Sequence, residues 1–453
     1  MQIKWYDENN EKTYNFIVKT LIINRSSKEN KGYMLYSGTA SDRRNPSHTS
    51  FIKFVKLDGA KENEIRRARQ AFWSESRFQV RYPYVAYVEG CVEGELVPEE
   101  GDAVLLGVQP KELERLYEGG SRILCLFEEL VEGEDLEEFY SKDAPPVPEE
   151  RMFQHMRQLV YGMCAYMNQN KDDMLIHRDI KPANIRVSGD GSTVKYIDFD
   201  WSHVSRSTKT RYLGRAIGGT PGYLDPRLAD SSIKKSDSMM DIYSLGMVFL
   251  YMMLGEEYIF DIRGAEDNSY LDDEQMLYEL RCSYLRKNGR PVYQEKRYDG
   301  LRKIVAGMMA KPDKRYQNPE ALLADLEHFL LKYYGKKRYN ELFSGGALLT
   351  GRQYEEEDRI YLVCLKQNRK EKVKINLKIT ANQVIELTDM ETEKQPVMMV
   401  YLLDDQVYYL PLTDDFEILD GDEKRLTGEN SKFKINGELF TLKIRDKKHT
   451  GEE

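Results

Sequence analysis

Apolar positions in the first third of the chain come in short runs set between turn-forming clusters. Residues 16–23, 33–39, 51–57 and 85–88 are brief and rich in β-branched and aromatic side chains, which predicts strands. Residues 61–79, rich in Arg, Glu and Ala, predict a helix between the last two. Residues 91–120 are acidic and carry Gly94, Pro98, Gly101 and Gly107, which predicts a turn-rich insertion before strand character resumes at 123–127. From Pro148 the period changes. Met152, Met156, Leu159, Val160, Met163 and Tyr166 recur at helical spacing. Further helices are predicted at 241–254, 273–286, 300–310 and 319–334. A small β-rich lobe followed by a larger helical lobe results. Residues 335–354 are basic and then glycine-bearing, as in a linker. Beyond them, runs at 359–366, 372–379, 383–387, 397–403, 407–412 and 433–444 predict strands of a separate all-β domain over 355–447, before a charged tail at 448–453. The fold class is therefore α+β.

A chain of 453 residues exceeds one ordinary core, so several domains are expected. Hydrophobic residues at 41% and charged residues at 32% are a globular balance. The net charge of −9 speaks against nucleic acid as a partner. Five cysteines stand singly, none in a C-x-x-C pair, as expected of reduced thiols in the cytoplasm. The N-terminal residues lack the apolar core of a signal peptide. The longest apolar run, 242–254, is short of the ~20 residues a membrane span needs and contains Tyr243, Ser244 and Gly246. It predicts a buried helix and a cytoplasmic chain without a membrane span.

The decisive segment is His177-Arg178-Asp179-Ile180-Lys181-Pro182-Ala183-Asn184, which follows the apolar Met174-Leu175-Ile176. After it come Ile185-Arg186-Val187, the turn Ser188-Gly189-Asp190-Gly191, and Val194-Lys195-Tyr196-Ile197 ending in Asp198. Asp-Gly between two β-like runs predicts a hairpin, which would return Asp198 beside Asn184 and Asp179. One site would then hold two carboxylates, an amide and a lysine. Phosphoryl transfer needs such a set: a carboxylate to orient the attacking hydroxyl and oxygen ligands for Mg²⁺.

With these residues the chain resembles the eukaryotic-like Ser/Thr protein kinase family over about residues 14–334. The resemblance implies a bilobal kinase fold, with an N-lobe over about 14–131 and a C-lobe over about 132–334. It also implies ATP with Mg²⁺ or Mn²⁺ as cofactors and a protein substrate offering Ser or Thr. In that family's terms Asp179 is the catalytic-loop base, Lys181 its companion, and Asn184 and Asp198 the metal ligands. Phe51-Ile52-Lys53 is similar to the strand whose lysine meets the α- and β-phosphates, and the two-residue pleat turns Lys56 to the opposite face. Glu75 is the expected partner of Lys53, with Glu64 the alternative. Phe127 to Leu136 resembles the hinge, with backbone near Glu129 and Val131 meeting adenine and Asp135 meeting ribose. Gly219-Thr220-Pro221-Gly222-Tyr223 resembles the substrate-docking segment, which brings Thr220 toward Asp179 and Lys181. Asp241 resembles the residue that caps the catalytic loop, and Arg315 the arginine that pairs with an acid near the docking segment.

Departures from the family pattern define the rival readings. Asp198-Phe199-Asp200 has Asp where the family has Gly. The stretch Asn24 to Gly32 has one glycine where the family has a glycine-rich loop, so side chains obstruct the approach of backbone amides to phosphate. Lys28 or Lys31 is placed to supply charge instead, against the plainer reading of a solvated loop. Arg227 stands where the family has an acid, which predicts repulsion with Arg315 unless Asp225 takes over. A pseudokinase scaffold and a small-molecule kinase are the alternatives to a protein kinase. The segment 201–220 is hydroxyl-rich and basic and corresponds to an activation loop. Its autophosphorylation is expected at Thr208 and Thr210, pairing with Arg178. The all-β domain carries no readable motif and is expected to bind a partner.

Overall fold

The structure is a computed structural model. It describes residues 1–7, 12–24, 27, 33–76, 84–141, 143–167, 175–199, 203–204, 222–229, 237–255, 296–343, 347–348, 359–364, 383–388, 394–403, 406–411, 416–418, 432–435 and 438–445. Contacts divide the chain into two compact units. The first holds Met1–Arg81, Ala86–Glu132 and Ile197–His203, and the second holds Tyr82–Val85, Gly133–Tyr196 and Val204–Glu453.

In the first unit, strand β1 (Gln2–Asp7) pairs antiparallel with β2 (Lys12–Asn24), which is followed by β3 (Leu35–Asp42) and β4 (Thr49–Lys56). β4 pairs with β6 (Arg122–Glu129), β6 with β5 (Val88–Val97), and β5 returns to β1, closing a barrel. The lobe therefore begins ahead of residue 14. The segment Gln2–Asp7 has only Ile3 and Trp5 alternating inward, too little periodicity to read. Trp5 stacks on Tyr14 at 4.8 Å and on Phe16 at 5.1 Å, and this aromatic packing holds the extra strand.

Gly94 has a different role from the one its turn-rich surroundings suggest. It lies within β5, where a Cβ would stand 2.6 Å from the Lys4 carbonyl oxygen. The close approach of β1 to β5 requires a glycine there. The insertion is correspondingly shorter than 91–120. It holds helices α2 (Asp102–Leu105) and α3 (Pro110–Tyr117), after α1 (Glu62–Glu75).

Ile3, Phe16, Val18, Ile52, Phe54, Leu96, Ile123, Cys125 and Phe127 fill the barrel. Because side chains alternate, the intervening positions on β4 and β6, including Lys53, Leu126 and Glu128, point out of it. Lys56 falls on the other face from Lys53, and its ammonium donates to the Glu118 carbonyl.

In the second unit, β7 (Glu134–Asp135) leads into α4 (Leu136–Phe139), α5 (Glu149–Met167) and β8 (Leu175–Ile176). The hairpin of β9 (Ile185–Val187) and β10 (Val194–Tyr196) follows, paired Tyr196 to Ile185, and then β11 (His203–Val204). Its turn is fixed by Asp190, whose Oδ1 accepts from Ser188 Oγ at 2.6 Å and Ser192 N–H at 2.9 Å.

The larger helices are α5, α6 (Ser238–Leu254), α7 (Asp299–Met309) and α8 (Pro319–Leu342). α6 is buried along almost its whole length, which accounts for its uninterrupted apolar run. Among the described residues no helix is long and apolar enough to cross a membrane. Part of the expected linker, residues 336–342, is helical. Gly335 breaks the helical angles at φ 71°, ψ 156°, yet the helix resumes to Leu342. Arg338 pairs with Glu150 at 2.8 Å, and Tyr339 OH donates to the buried Glu327, which also holds Arg157 at 2.6 Å. These contacts hold the resumed helix against α5. The helix expected at 273–286 lies outside the described residues.

Toward the C-terminus, β12 (Ala347–Leu348), β14 (Gln383–Thr388), β15 (Lys394–Leu403) and β16 (Gln406–Pro411) form one four-stranded sheet in the order β12-β16-β15-β14. A second has the order β13-β19-β18-β17, from β13 (Arg359–Cys364), β17 (Phe416–Ile418), β18 (Lys432–Ile435) and β19 (Glu438–Arg445). The single strand expected over 433–444 is thus a tight hairpin that pairs Ile435 with Glu438. The strand expected at 372–379 lies outside the described residues.

Candidate active site

On the outer face of the barrel, Lys53 is buried among three carboxylates. Its Nζ lies 2.6 Å from Glu75 Oε1, 3.0 Å from Asp198 Oδ1 and 3.2 Å from Glu128 Oε2. Burial by itself would lower the pKa of this lysine. Asp198, Glu128 and Glu75 outweigh that and hold it well above the ordinary lysine value. Glu75 ends α1, and its Oε1 also accepts the Phe199 N–H at 3.0 Å, tying the Asp198 segment to the helix. Glu64 lies in the first turn of that helix, away from this contact. Asp198 has φ +62°, a left-handed angle that Asp tolerates better than most residues.

Glu128 belongs to this cluster although the sequence did not single it out. It stands two positions after Leu126, the register partner of Lys53 in the β4–β6 ladder, and so on the lysine's own face. Burial, with Glu75 repelling and Lys53 partly offsetting, pushes its carboxyl up to about 8. An acid doublet closing an otherwise apolar strand, Leu124 to Phe127 and then Glu128-Glu129, was the available signal.

In the second unit, Asp179 is buried in the loop after β8. Asn184 Nδ2 donates to its backbone oxygen at 2.8 Å and to its Oδ2 at 2.9 Å, and Lys181 Nζ lies 3.1 Å from Oδ2. Asn184 closes the 3-10 turn Pro182–Asn184, so a five-residue span sets this geometry. Asp241, buried in the first turn of α6, holds the loop from beneath. Its carboxylate accepts the His177 N–H at 2.6 Å, the Arg178 N–H at 2.9 Å and Tyr166 OH at 2.9 Å. Two adjacent amides on one carboxylate account for Arg178 being kept at φ +71°. Burial raises the pKa of Asp241, and the hydrogen bonds and His177 offset that in part.

The other predicted residues divide as follows. Glu129 bonds to Tyr87 through its backbone N–H at 2.9 Å, within the strand end expected to meet adenine, and Val131 follows in the same unit. Asp135 caps α4, its Oδ1 accepting the Glu138 N–H at 2.8 Å. Thr220, Asp200, Lys28, Lys31, Thr208 and Thr210 lie outside the described residues. Ser27 is described and buried. The single hydrogen of its hydroxyl is shared between the Asn24 and Tyr33 carbonyl oxygens at 2.6 and 3.0 Å, and its oxygen accepts the Leu35 N–H at 2.8 Å, bracing the β2–β3 connection.

The repulsion expected between Arg227 and Arg315 does not arise. Arg315 pairs with the buried Asp225 carboxylate, and Arg227 is shared between Asp225 Oδ2 at 2.8 Å and Asp237 Oδ2 at 2.7 Å. Burial opposes ionisation of Asp225, but its hydrogen bond from Arg227 and the charge of Arg315 prevail and hold its pKa below the usual range. Asp225→Asn is expected to cost about 2 kcal/mol of stability by removing charge-assisted bonds, read as a lower urea midpoint with unchanged slope. The depressed pKa gives the sign. Stability from Asp225 is present above the unfolded carboxylate pKa and lost as pH falls through the lower folded value, so the two proteins converge in acid.

Among the described residues no group of three or more His, Cys, Asp and Glu is arranged to hold a metal ion. The expected ligands nonetheless suit a hard cation in kind. Asp198 keeps a third of its side chain exposed, and Asn184 spends its amide nitrogen on Asp179, which leaves its oxygen as a donor.

Residues 112–326 match the family described as protein kinase domain. A serine/threonine-protein kinase PknB of Mycobacterium leprae is 28% identical over 203 residues, 44% of this chain and 29% of that protein. The PknB of Mycobacterium tuberculosis is 27% identical over 204 residues, again 29% of its length. The serine/threonine-protein kinase TIO of Arabidopsis thaliana is 35% identical over 136 residues, 30% of this chain and 10% of that protein. The chain thus spans less than a third of each of these relatives. Over residues 112–326, a little under half of the chain, the sequence is thus similar to the protein kinase domain, which implies a bilobal α+β fold there.

Proposed function

We propose that the chain transfers the γ-phosphoryl group of ATP to Ser or Thr hydroxyls of protein substrates. The observation that carries this reading is Asp179, a buried carboxylate held by Asn184 and Lys181 in a loop braced by Asp241. As the substrate oxygen attacks the γ-phosphorus, its proton passes to Asp179, and the bond from the γ-phosphorus to the bridging oxygen of ADP breaks. Lys181 balances charge on the transferring group, and Lys53 binds the α- and β-phosphates. Mg²⁺ or Mn²⁺ would neutralise phosphate charge, with Asn184 and Asp198 to hold it. Backbone near Glu129 and Val131 takes the adenine. Asp135 meets ribose through Oδ2, since Oδ1 caps α4. Thr220 positions the substrate hydroxyl, and Thr208 and Thr210 receive the autophosphorylation that pairs with Arg178. The C-terminal strands form an all-β domain that binds a protein partner, and the chain acts in the cytoplasm.

A second reading is a scaffold that binds nucleotide without turnover, favoured by the three carboxylates around Lys53 and the single glycine between Asn24 and Gly32. The full chain with γ-labelled ATP, Mg²⁺ and a generic basic protein separates the two. Label on Ser or Thr supports the kinase. Nucleotide binding without label supports the scaffold. In the same assay Asp198→Ala is expected to keep metal-free nucleotide binding and lose the tightening by Mg²⁺. Equal metal enhancement in both proteins would refute the role of Asp198.

A further inference from the structure

The Lys53 cluster has an excess of acid that a phosphate-binding lysine does not need. Glu75 and Asp198 already surround the ammonium, and Glu128 adds a third carboxyl at 3.2 Å from a separate strand. Fully ionised, the group carries two net negative charges where polyphosphate must enter. A charge that deeply buried is costly unless neutralised. Glu75 and Glu128 have almost no solvent exposure. Asp198 keeps a third of its side chain in solvent, so Glu75 and Glu128 carry the conflict. Glu75 Oε1 is committed to Lys53 and the Phe199 N–H. Glu128 Oε2 has the ammonium 3.2 Å away, a longer contact than the 2.6 Å of Glu75, whose Oε1 takes the Phe199 N–H as well, so Glu128 is the less stabilised anion of the two.

We propose that Glu128 is a positioning residue of the nucleotide-phosphate site. Carrying a proton, it leaves Lys53 to Glu75 and to an incoming phosphate; ionised, it draws the ammonium toward β6 and repels phosphate. The proposal rests on reading Lys53 as the phosphate ligand. The charged groups that act on Glu128 are Lys53 from β4, Glu75 from α1 and Asp198 from the segment after β10, with Tyr33 before β3 and Cys91 from β5 near Glu75. Tyr33 and Cys91 stay neutral through the relevant range, because burial pushes the phenol well up and the thiol to about 12. Lys53 remains charged, its pKa held up by the same carboxylates that overcome its burial. Glu128, pushed by burial to about 8, therefore changes state near neutrality.

The linkage has a definite sign. A carboxyl whose folded pKa is raised makes the folded chain bind more protons than the unfolded chain, so stability falls as pH rises from the unfolded value toward the folded one. The experiment compares the full-length wild type with Glu128→Gln, which imitates the protonated form. Without ligand, the melting temperature of Glu128→Gln should exceed that of wild type by a margin that grows from about pH 5 to about pH 8 and then levels. With ADP and Mg²⁺ in calorimetry, wild-type affinity should fall ~10-fold between about pH 7 and pH 9, while Glu128→Gln stays nearly flat. Parallel melting curves would overturn the proposal whatever nucleotide does, because Glu128 would then titrate like an exposed acid. ADP binding with identical pH profiles would overturn it while leaving Lys53 as the phosphate ligand. Absence of ADP binding by both proteins at every pH would overturn the phosphate-site reading and the proposal with it.

Discussion

Asp179→Asn is expected to slow phosphoryl transfer by about 10²–10⁴-fold, the usual contribution of a general base, while the melting temperature stays near that of wild type. The side chain keeps its size, and the Asn oxygen still accepts from Asn184 Nδ2. The loop itself is held by Asp241 through the His177 and Arg178 amides, which the substitution does not touch. The variant loses the negative charge that faces Lys181 and that, in the proposed mechanism, receives the hydroxyl proton. Lys181 is a quarter exposed, so water can replace its lost partner at small cost. A rate above a tenth of wild type, measured with labelled ATP on the same protein substrate, would remove Asp179 from the role of base.

The contrast between Asp179 and Glu128 shows which parts of the site could be read without coordinates. Asp179, Lys181 and Asn184 lie within one short turn, so their spacing along the chain nearly determines their spacing in space. The β9–β10 hairpin was legible for the same reason, because Asp190-Gly191 sets the turn between two β-like runs. Lys53 stood out through the resemblance of Phe51-Ile52-Lys53 to the family's strand, with the pleat turning Lys56 to the other face. Glu128 depended on the register between β4 and β6, strands separated by more than sixty residues, and a one-residue slip would have turned it into the barrel. β1 was illegible because six residues with two inward side chains have almost no period, and its stability comes from the stacking of Trp5 on Tyr14 and Phe16. Gly94 was misread as punctuation because a glycine in a strand and a glycine in a turn look alike until the neighbouring backbone is known. The continuation of α8 past Gly335 depends on Glu150 and Glu327, residues that only the folded chain brings near. The exchange of acid and base around Arg315 was half legible: Asp225 was a visible candidate, whereas the sharing of Arg227 with Asp237 shows only in the folded chain.

Lys53→Met is expected to abolish transfer and to destabilise the protein by about 3–5 kcal/mol, the cost of removing one partner from a buried charge cluster. The substitution keeps the unbranched aliphatic stem, so packing against the barrel changes little. What remains is Glu75 with no side-chain exposure, Glu128 with 8% and Asp198 with 33%, and no cation among them. Asp198 can turn toward water. Glu75 and Glu128 must either stay ionised in a poorly solvating site or take up protons, and proton uptake is the cheaper course as pH falls. Folded-state carboxyl pKa values in the variant then lie above their unfolded values, and the folded chain binds more protons than the unfolded chain over the interval between them. Stability of the variant therefore declines with rising pH throughout that interval. In wild type Glu128 contributes such a decline, ending near about 8. The deficit of Lys53→Met should accordingly be small near about pH 5 and widen toward about pH 8, as read from urea midpoints across that range. Adding Glu128→Gln to Lys53→Met should return about 1–3 kcal/mol at the alkaline end, the desolvation cost of the carboxylate it removes. A deficit independent of pH, or no recovery in the double variant, would mean that the ammonium of Lys53 does not neutralise Glu75 and Glu128 in the folded protein.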